Sequence, residues 1–330
     1  MILAGDVGGT KTVLAVLEPG AGPSPVMTVV REAVLPSREI DSLENAVEAF
    51  LLGAPRLSVA AACLGVAGPV IDGRTVTTNL PWEVHERRLA AAAHAPTRLI
   101  NDLEAAGHGV LTLAPEQFLT LQAGVPKPGA NMALIAAGTG LGQALLIAEG
   151  QDYRVIASEG GHADFAPHDE VDVDLLRFLR AEFGHVSWER VVSGPGLHNI
   201  YRFLQMRAGH AAPEWLRERL QREDPSAVVG EVGLQGRDPV CVEALDRFVT
   251  LYGAQTGNLA LASLALAGVV LAGGIAPKIR SKLGEGRFMQ AFLGKGRLDA
   301  LLSQIPVRVV LDERAPLWGA ARVATRMHAS

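Results

Sequence analysis

The chain has 330 residues, of which 48% are hydrophobic and 20% charged, with a formal net charge of −5. Length on this scale divides into two lobes more readily than it forms one core. The composition is globular rather than disordered, and the negative balance offers no general attraction to nucleic acid or anionic membrane. The two cysteines, Cys63 and Cys241, stand far apart among apolar residues, without metal-ligand or redox spacing, and read as core fillers.

In chain order, "MILAGDVGG" carries no basic n-region and no cleavable apolar stretch, so the expected location is the cytoplasm. "ILAGDVGGTKTVLAVL" reads as strand, Gly-Gly turn with a Thr, and strand, a hairpin in which glycine takes positive φ without steric cost. "SLENAVEAFLLG" has helical spacing. "RLINDLEAAGHGV" begins as a strand and continues as a helix, with Asn101 and Asp102 at the junction. There Asp102 is either a helix cap or a carboxylate presented to a substrate.

From Met132, "MALIAAGTGLGQALLIA" repeats the opening pattern of strand, glycine turn and strand. Two copies more than a hundred residues apart indicate two related α/β halves facing one another, since solenoid repeats recur every ~20–50 residues. "LLRFLRAEFG", "GPGLHNIYRFLQM", "PEWLRERLQRE" and "CVEALDRFVTLYGAQTGNLALA" follow with helical periodicity, and the stretch 207–239 reads as a surface excursion. "LALASLALAGVVLA" is too short and too Ala-rich to span a bilayer well and reads as a buried helix running into a buried strand. "VVLAGGIAPK" supplies a third glycine turn leading toward a helix, and "APLWGAARVATRM" is a closing helix expected to pack back on the first half.

Each glycine turn exposes backbone N–H groups with no side chain in the way, the arrangement that receives phosphate oxygens. The first also carries Asp6, Thr10 and Lys11, and an Asp beside a phosphate cradle can hold Mg²⁺, usually through water. No G-x-x-x-x-G-K-[ST] stretch occurs, and no G-x-G-x-x-G follows the first strand, so neither a Walker loop nor a dinucleotide fold is indicated.

The segments "GDVGGTKT", "NDLEA", "AAGTGLG", "SEGGHADFAP", "GHVSWERVVSGPGL" and "LAGGIAPK" resemble, in this order, those of bacterial glucokinases in the hexokinase/actin-like ATPase superfamily. "SEGGHADFAP" with "ERVVSGPGL" is the specific part. The related repressor–kinase branch usually adds a Cys-rich zinc motif, which this chain lacks. The resemblance implies a two-lobed actin-like (ribonuclease H-like) α/β fold with its active site in the inter-lobe cleft. It implies a small lobe at 1–112, completed by a helix at 313–330, and a large lobe at 113–312. It further implies ATP-dependent phosphorylation of D-glucose at the 6-hydroxyl with Mg²⁺, by a homodimer.

Residue by residue, Gly5, Asp6, Val7, Gly8, Gly9, Thr10 and Lys11 match the first phosphate turn. Gly138, Thr139 and Gly140 match the second, and Gly273 and Gly274 the adenosine-side turn. Asn101 and Asp102 match the sugar-contacting pair, Asp102 being the catalytic base, and Glu159, His162 and Glu189 the other sugar ligands. Asn79 in "TNLPWE" falls in a loop by the sugar pocket. Asp6 is the Mg²⁺ residue.

The residue types suit that chemistry. Carboxylates accept from two hydroxyls at once, while Asn and His both donate and accept. A site built on such partners rejects near-isosteres, because a missing hydroxyl strands a buried polar group. A metal cluster of Glu159, His162, Asp164 and His168 is disfavoured by the Gly and Pro breaks of "EGGHADFAPHD". The alternatives are a kinase for another hexose or an amino sugar, and a non-catalytic actin-like or sugar-sensing protein.

Overall fold

The computed structural model describes every residue except 21–26, 54–57, 77–79, 81, 210 and 330. The chain forms two compact units, Met1–Gln117 with Asp312–Ser330, and Phe118–Leu311.

The first unit holds strands β1 (Ile2–Val7), β2 (Lys11–Pro19), β3 (Met27–Pro36), β4 (Ala61–Val66), β5 (Arg74–Val76), β6 (Glu83–His85) and β7 (Thr97–Asn101). Its main sheet has the order β3-β2-β1-β4-β7, and β5 and β6 form a two-stranded ribbon. β1, β2 and β3 make an antiparallel meander, to which β4 and β7 add in parallel on the far side of β1. β4 is buried at every position, as a central parallel strand covered on both faces must be. On one face Leu3, Leu14 and Leu64 pack against Leu43, Val47 and Phe50 of helix Leu43–Leu52 and Leu89 of helix Glu86–Ala93. On the other, Ile2, Ala4 and Leu17 pack against Ala105 of helix Asp102–Val110 and Leu317, Ala320 and Ala324 of the closing helix Ala315–Ala329.

These last two helices meet backbone to backbone. A Cβ added at Gly109 would fall 1.8 Å from the Ala315 carbonyl oxygen, and one at Gly319 would fall 1.7 Å from that of Ala105. Asp312 anchors the returning chain by accepting from Gln117 Nε2 at 2.7 Å and Trp318 Nε1 at 2.9 Å. Arg314 lies over the Trp318 ring and pairs with Glu32.

The second unit holds β8 (Phe118–Gln122), β9 (Met132–Ala137), β10 (Leu141–Glu149), β11 (Asp152–Ser158), β12 (Gly268–Ala272) and β13 (Val307–Val310), in the order β11-β10-β9-β12-β13-β8. β9, β10 and β11 repeat the antiparallel meander, and β12 and β13 add in parallel as β4 and β7 do. The echo between the two glycine turns in sequence is thus an echo of whole sheets. The helix Pro239–Ser263 runs through the core, with Tyr252 edge-on to Phe248 and Phe288. Cys63 and Cys241 are both buried and free.

Two readings of the sequence are corrected. Residues 207–239 are no surface excursion: helices Glu214–Arg222 and Pro225–Leu234 lie there, and Leu216, Val228, Val229 and Val232 are buried in the main core of the unit. Their spaced apolar residues were masked by flanking charge and by Gly230 and Gly233, the latter allowing close approach to Cys241. The hairpin glycines Gly8, Gly9, Gly138 and Gly140 are not among the residues with positive φ, whereas Gly273 is, at 80°. Space rather than left-handed backbone explains Gly140, where an added Cβ would lie 2.6 Å from Glu189 Oε2.

Gly319→Ala should lower unfolding stability by about 2–4 kcal/mol, since a backbone oxygen cannot yield as a flexible side chain would. Urea denaturation checks this, and a loss below about 0.5 kcal/mol would show that the two helices part freely.

Candidate active site

In the first unit the register Val7↔Val66↔Asn101 sets the C-terminal ends of β1, β4 and β7 level with one another. The turn Gly8–Thr10 and the pair Asn101–Asp102 therefore leave the same edge of the sheet. They sit two strand spacings apart, on the order of 10 Å. Gly65 keeps the intervening strand bare: a Cβ there would lie 2.8 Å from Ala105 Cβ and 3.8 Å from Asp102 Cα.

The choice between cap and substrate for Asp102 resolves in an unexpected way. Asn101 is the N-cap, its Oδ1 accepting from Leu103 N at 2.8 Å and Glu104 N at 3.4 Å while its Nδ2 donates to Gly68 O at 2.9 Å. Asp102 is the first helical residue and also accepts from Leu103 N, at 2.9 Å. With the capping role filled by its neighbour, the Asp102 carboxylate stands at a helix N-terminus, where negative charge is favoured. Asn101 retains one amide hydrogen beyond these bonds for a ligand.

The first turn is braced from an unexpected quarter. Ser37, fully buried, donates its Oγ to Gly8 O at 2.7 Å, lies 2.9 Å from Thr12 Oγ1, and gives its N–H to Thr10 O at 3.0 Å. Within the turn, Gly8 N–H donates to Lys11 O at 3.0 Å, while the N–H groups of Gly9 and Thr10 have no acceptor among the described residues. Lys11 is exposed. Asp6 is half-buried, and that burial pushes its carboxyl up to about 6 against the pull of the Lys11 ammonium. Gly5 and Val7 belong to the sheet and its core rather than to the turn. A Cβ at Gly5 would lie 2.9 Å from Leu64 Cδ2, and Val7 is buried beside Leu64 and Val66.

In the second unit, Gly138, Thr139 and Gly140 join β9 to β10, and Gly273 and Gly274 follow β12, the parallel neighbour of β9. The two turns thus emerge side by side: Ile275 N donates to Ala137 O at 3.2 Å, and a Cβ at Gly273 would fall 2.5 Å from the same oxygen. Around Gly138 and Gly274 an added Cβ meets nothing within 4 Å, so both backbones are open. Gly138 N–H is taken by Gly140 O at 2.9 Å, and those of Thr139 and Gly140 have no acceptor among the described residues. Helix Gly194–Ala208 begins against this turn, with Gly194 N donating to Gly138 O at 2.8 Å. Its N-cap Ser193 donates to Glu189 O at 2.7 Å and accepts from Gly196 N.

Glu159 and His162 bracket the short turn Gly160–His162, with side chains 73% and 60% exposed and 3.9 Å apart, so both are available to a ligand. Glu189 is half-buried, and its Oε2 accepts from Leu141 N at 2.9 Å. Behind this cluster Phe165 and Trp188 stack edge-on at 5.1 Å, Trp188 N donates to Ala163 O, and Phe165 N to Val186 O. His185 Nε2 and Asp164 Oδ1 meet at 2.8 Å. Among the described residues no three of His, Cys, Asp and Glu gather into a metal site. Asn79 lies outside the described residues.

Reading the sequence missed Ser37, Thr12 and Ser193. Thr12 leaves one signal, as a polar residue in an otherwise apolar buried strand, and Ser193 another, as a Ser before Gly-Pro at a helix start. Ser37, in "LPSRE", leaves none.

The glucokinase family model matches residues 3–327. A glucokinase from a Nostoc species is 42% identical over 99% of both chains, and one from a Synechocystis species 43% identical over 98% of both. The crystal structure of a glucokinase from an Antarctic psychrotroph, 33% identical, superposes over 98% of each chain with a TM-score of 0.86. A ROK-family glucokinase from Streptomyces griseus, solved with glucose and AMPPNP, is 21% identical with a TM-score of 0.65 over 98% of this chain and 99% of its own, a likeness of fold.

The raised Asp6 value has a thermodynamic consequence. The folded protein favours the protonated carboxyl, so the stability contributed by this group is full below the ordinary 3.8 and is lost as pH rises through about 6. Without nucleotide or divalent cation, Asp6→Asn should match wild-type stability near pH 4 and exceed it by about 2 kcal/mol near pH 8. Thermal and urea unfolding across this range test the point, and a difference that does not vary with pH would remove Asp6 burial as its cause.

Proposed function

The chain belongs to the glucokinase family, and from that premise we propose that it transfers the terminal phosphoryl group of ATP to the 6-hydroxyl of D-glucose, with Asp102 as general base. Its fold is the two-lobed α/β fold of the actin-like ATPases, and the two compact units serve as the small and large lobes. The observation that carries the assignment is the shared sheet edge in the first unit. The Asp102 carboxylate stands there at a helix N-terminus whose cap is Asn101, on the same sheet edge as a glycine turn whose N–H groups at Gly9 and Thr10 have no acceptor among the described residues.

The 6-hydroxyl oxygen forms the new bond to phosphorus as the bond from that phosphorus to the bridging oxygen breaks, and ADP leaves. The hydroxyl proton passes to a carboxylate oxygen of Asp102. Because the transition state is loose, this proton leaves late and an ordinary carboxylate suffices. The N–H groups of Gly9, Thr10, Thr139 and Gly140 receive phosphate oxygens, and their fixed orientation stabilises charge without reorganisation. Gly274 offers an unobstructed backbone to the adenosine side, while Gly273 makes the turn against Ala137 O. Asn101, Glu159, His162 and Glu189 select the sugar, with Asn79 assigned to the same pocket by resemblance.

Asp6 would hold Mg²⁺ through water. Burial beside Lys11 leaves its charge undercompensated, which would suit a divalent cation that keeps its water. The ion supplies charge neutralisation on the phosphates. ATP as the nucleotide supports a cytoplasmic location, and homodimeric assembly is carried over from the family resemblance, with light scattering as its measurement.

Asp102→Asn should lower kcat by about 10³-fold while glucose affinity stays within about threefold. A coupled assay over glucose, mannose, fructose and N-acetylmannosamine measures both this and the sugar preference, and near-normal turnover would remove Asp102 as the base. Glu159→Gln should weaken glucose binding by at least about tenfold and nucleotide binding by less than about twofold. Calorimetry showing the opposite pattern would reassign Glu159.

A further inference from the structure

Leu141, the residue that follows the second phosphate turn, lies between Glu189, assigned to the sugar, and the turn that carries Glu159 and His162. Its N–H donates to Glu189 Oε2 at 2.9 Å. Its carbonyl oxygen lies against Gly161, in the turn between Glu159 and His162, where an added Cβ would fall 1.9 Å from that oxygen. Gly140, which offers its own N–H to phosphate, is bare on the side facing Glu189, since a Cβ there would lie 2.6 Å from Oε2. The Glu189 backbone is tied in turn to the start of the next helix through Ser193 Oγ.

We infer that Glu189 is a coupling residue. One carboxylate oxygen holds the Gly140–Leu141 peptide while the other receives a sugar hydroxyl, so that sugar occupancy orders the phosphate turn. This rests on the proposed reading of Glu189 as a sugar ligand and adds to it a direction of influence. Among the described residues Leu141 N–H is the one hydrogen-bond donor to this carboxylate, which can still rotate about that contact. With a hydroxyl on its second oxygen it is fixed at both ends, and the Leu141 and Gly140 N–H groups are fixed with it. Ordering already supplied by the first ligand is not required of the second, which is positive cooperativity. The coupling is reciprocal, so the nucleotide strengthens sugar binding by the same factor.

Calorimetric titration of AMPPNP with Mg²⁺, with and without saturating glucose, tests this on the full chain. In the wild type, glucose should tighten AMPPNP by about tenfold, within the usual span of such couplings. In Glu189→Ala the factor should fall below about twofold, even when glucose is raised to saturate its weakened site. In Glu189→Gln, whose amide oxygen can still accept from Leu141, it should fall to an intermediate value. Gly140→Ala, which displaces Oε2 while leaving the carboxylate in place, should also lose the factor, and this variant keeps the question open should Glu189→Ala fail to fold. A wild type without coupling, or variants that weaken glucose yet keep the tenfold factor, would overturn the inference and leave Glu189 as a sugar ligand only. Unchanged glucose affinity in both Glu189 variants would instead remove the sugar-ligand reading.

Discussion

The geometry of the first unit depends on two helices pressed together without side chains between them. Ordinary helix pairs stand about 8–10 Å apart because their side chains interdigitate. At Gly109 and Gly319 carbonyl oxygens occupy the space where those side chains would be. The position of helix Asp102–Val110 is therefore set by hard backbone contact, and Asp102 at its first turn inherits that precision. The same helix meets the sheet through Ala105 beside Gly65, another position with no room for a Cβ. The role proposed for Asp102 needs placement to a fraction of an ångström, and backbone surfaces give less than side-chain packing does.

A division of labour recurs in both units. Asn101 caps the helix N-terminus ahead of Asp102, which shares Leu103 N with it, and Ser193 caps the helix that starts at Gly194. Ser37 holds the first turn through its carbonyl oxygens, leaving the N–H groups of Gly9 and Thr10 directed elsewhere. In each case a small polar residue satisfies backbone groups beside the proposed site, in keeping with the near-complete pairing of buried polar groups in folded proteins.

What could be read in advance follows the range of the interactions. The strand–turn–strand pattern around Gly8 and around Thr139 is local, so the duplication of the sheet was visible in the residues themselves. The junction at Asn101 was equally local, and only the assignment of the cap to one of two adjacent residues required coordinates. The roles of Glu159, His162 and Glu189 came from family resemblance, since an isolated Glu in a turn carries no chemical signature. Ser37 acts on Gly8 across 29 positions and Glu189 on Leu141 across 48, and no periodicity reports such pairs. The stretch 207–239 misled because its many charges surround helices whose inner faces carry Leu216 and Val228.

The return of the chain has a consequence for biosynthesis. The second unit is continuous, Phe118–Leu311, and its core can assemble as soon as those residues have left the ribosome. The first unit cannot: Ala105 reaches the face of Ile2, Ala4 and Leu17 early, but its cover is complete only when Leu317, Ala320 and Ala324 have been translated. The half begun earliest is finished last, with one apolar sheet face only partly covered until then. A chain ending near residue 311 would leave that face incompletely packed and helix Asp102–Val110 without the backbone contacts that Ala315 and Gly319 make with it.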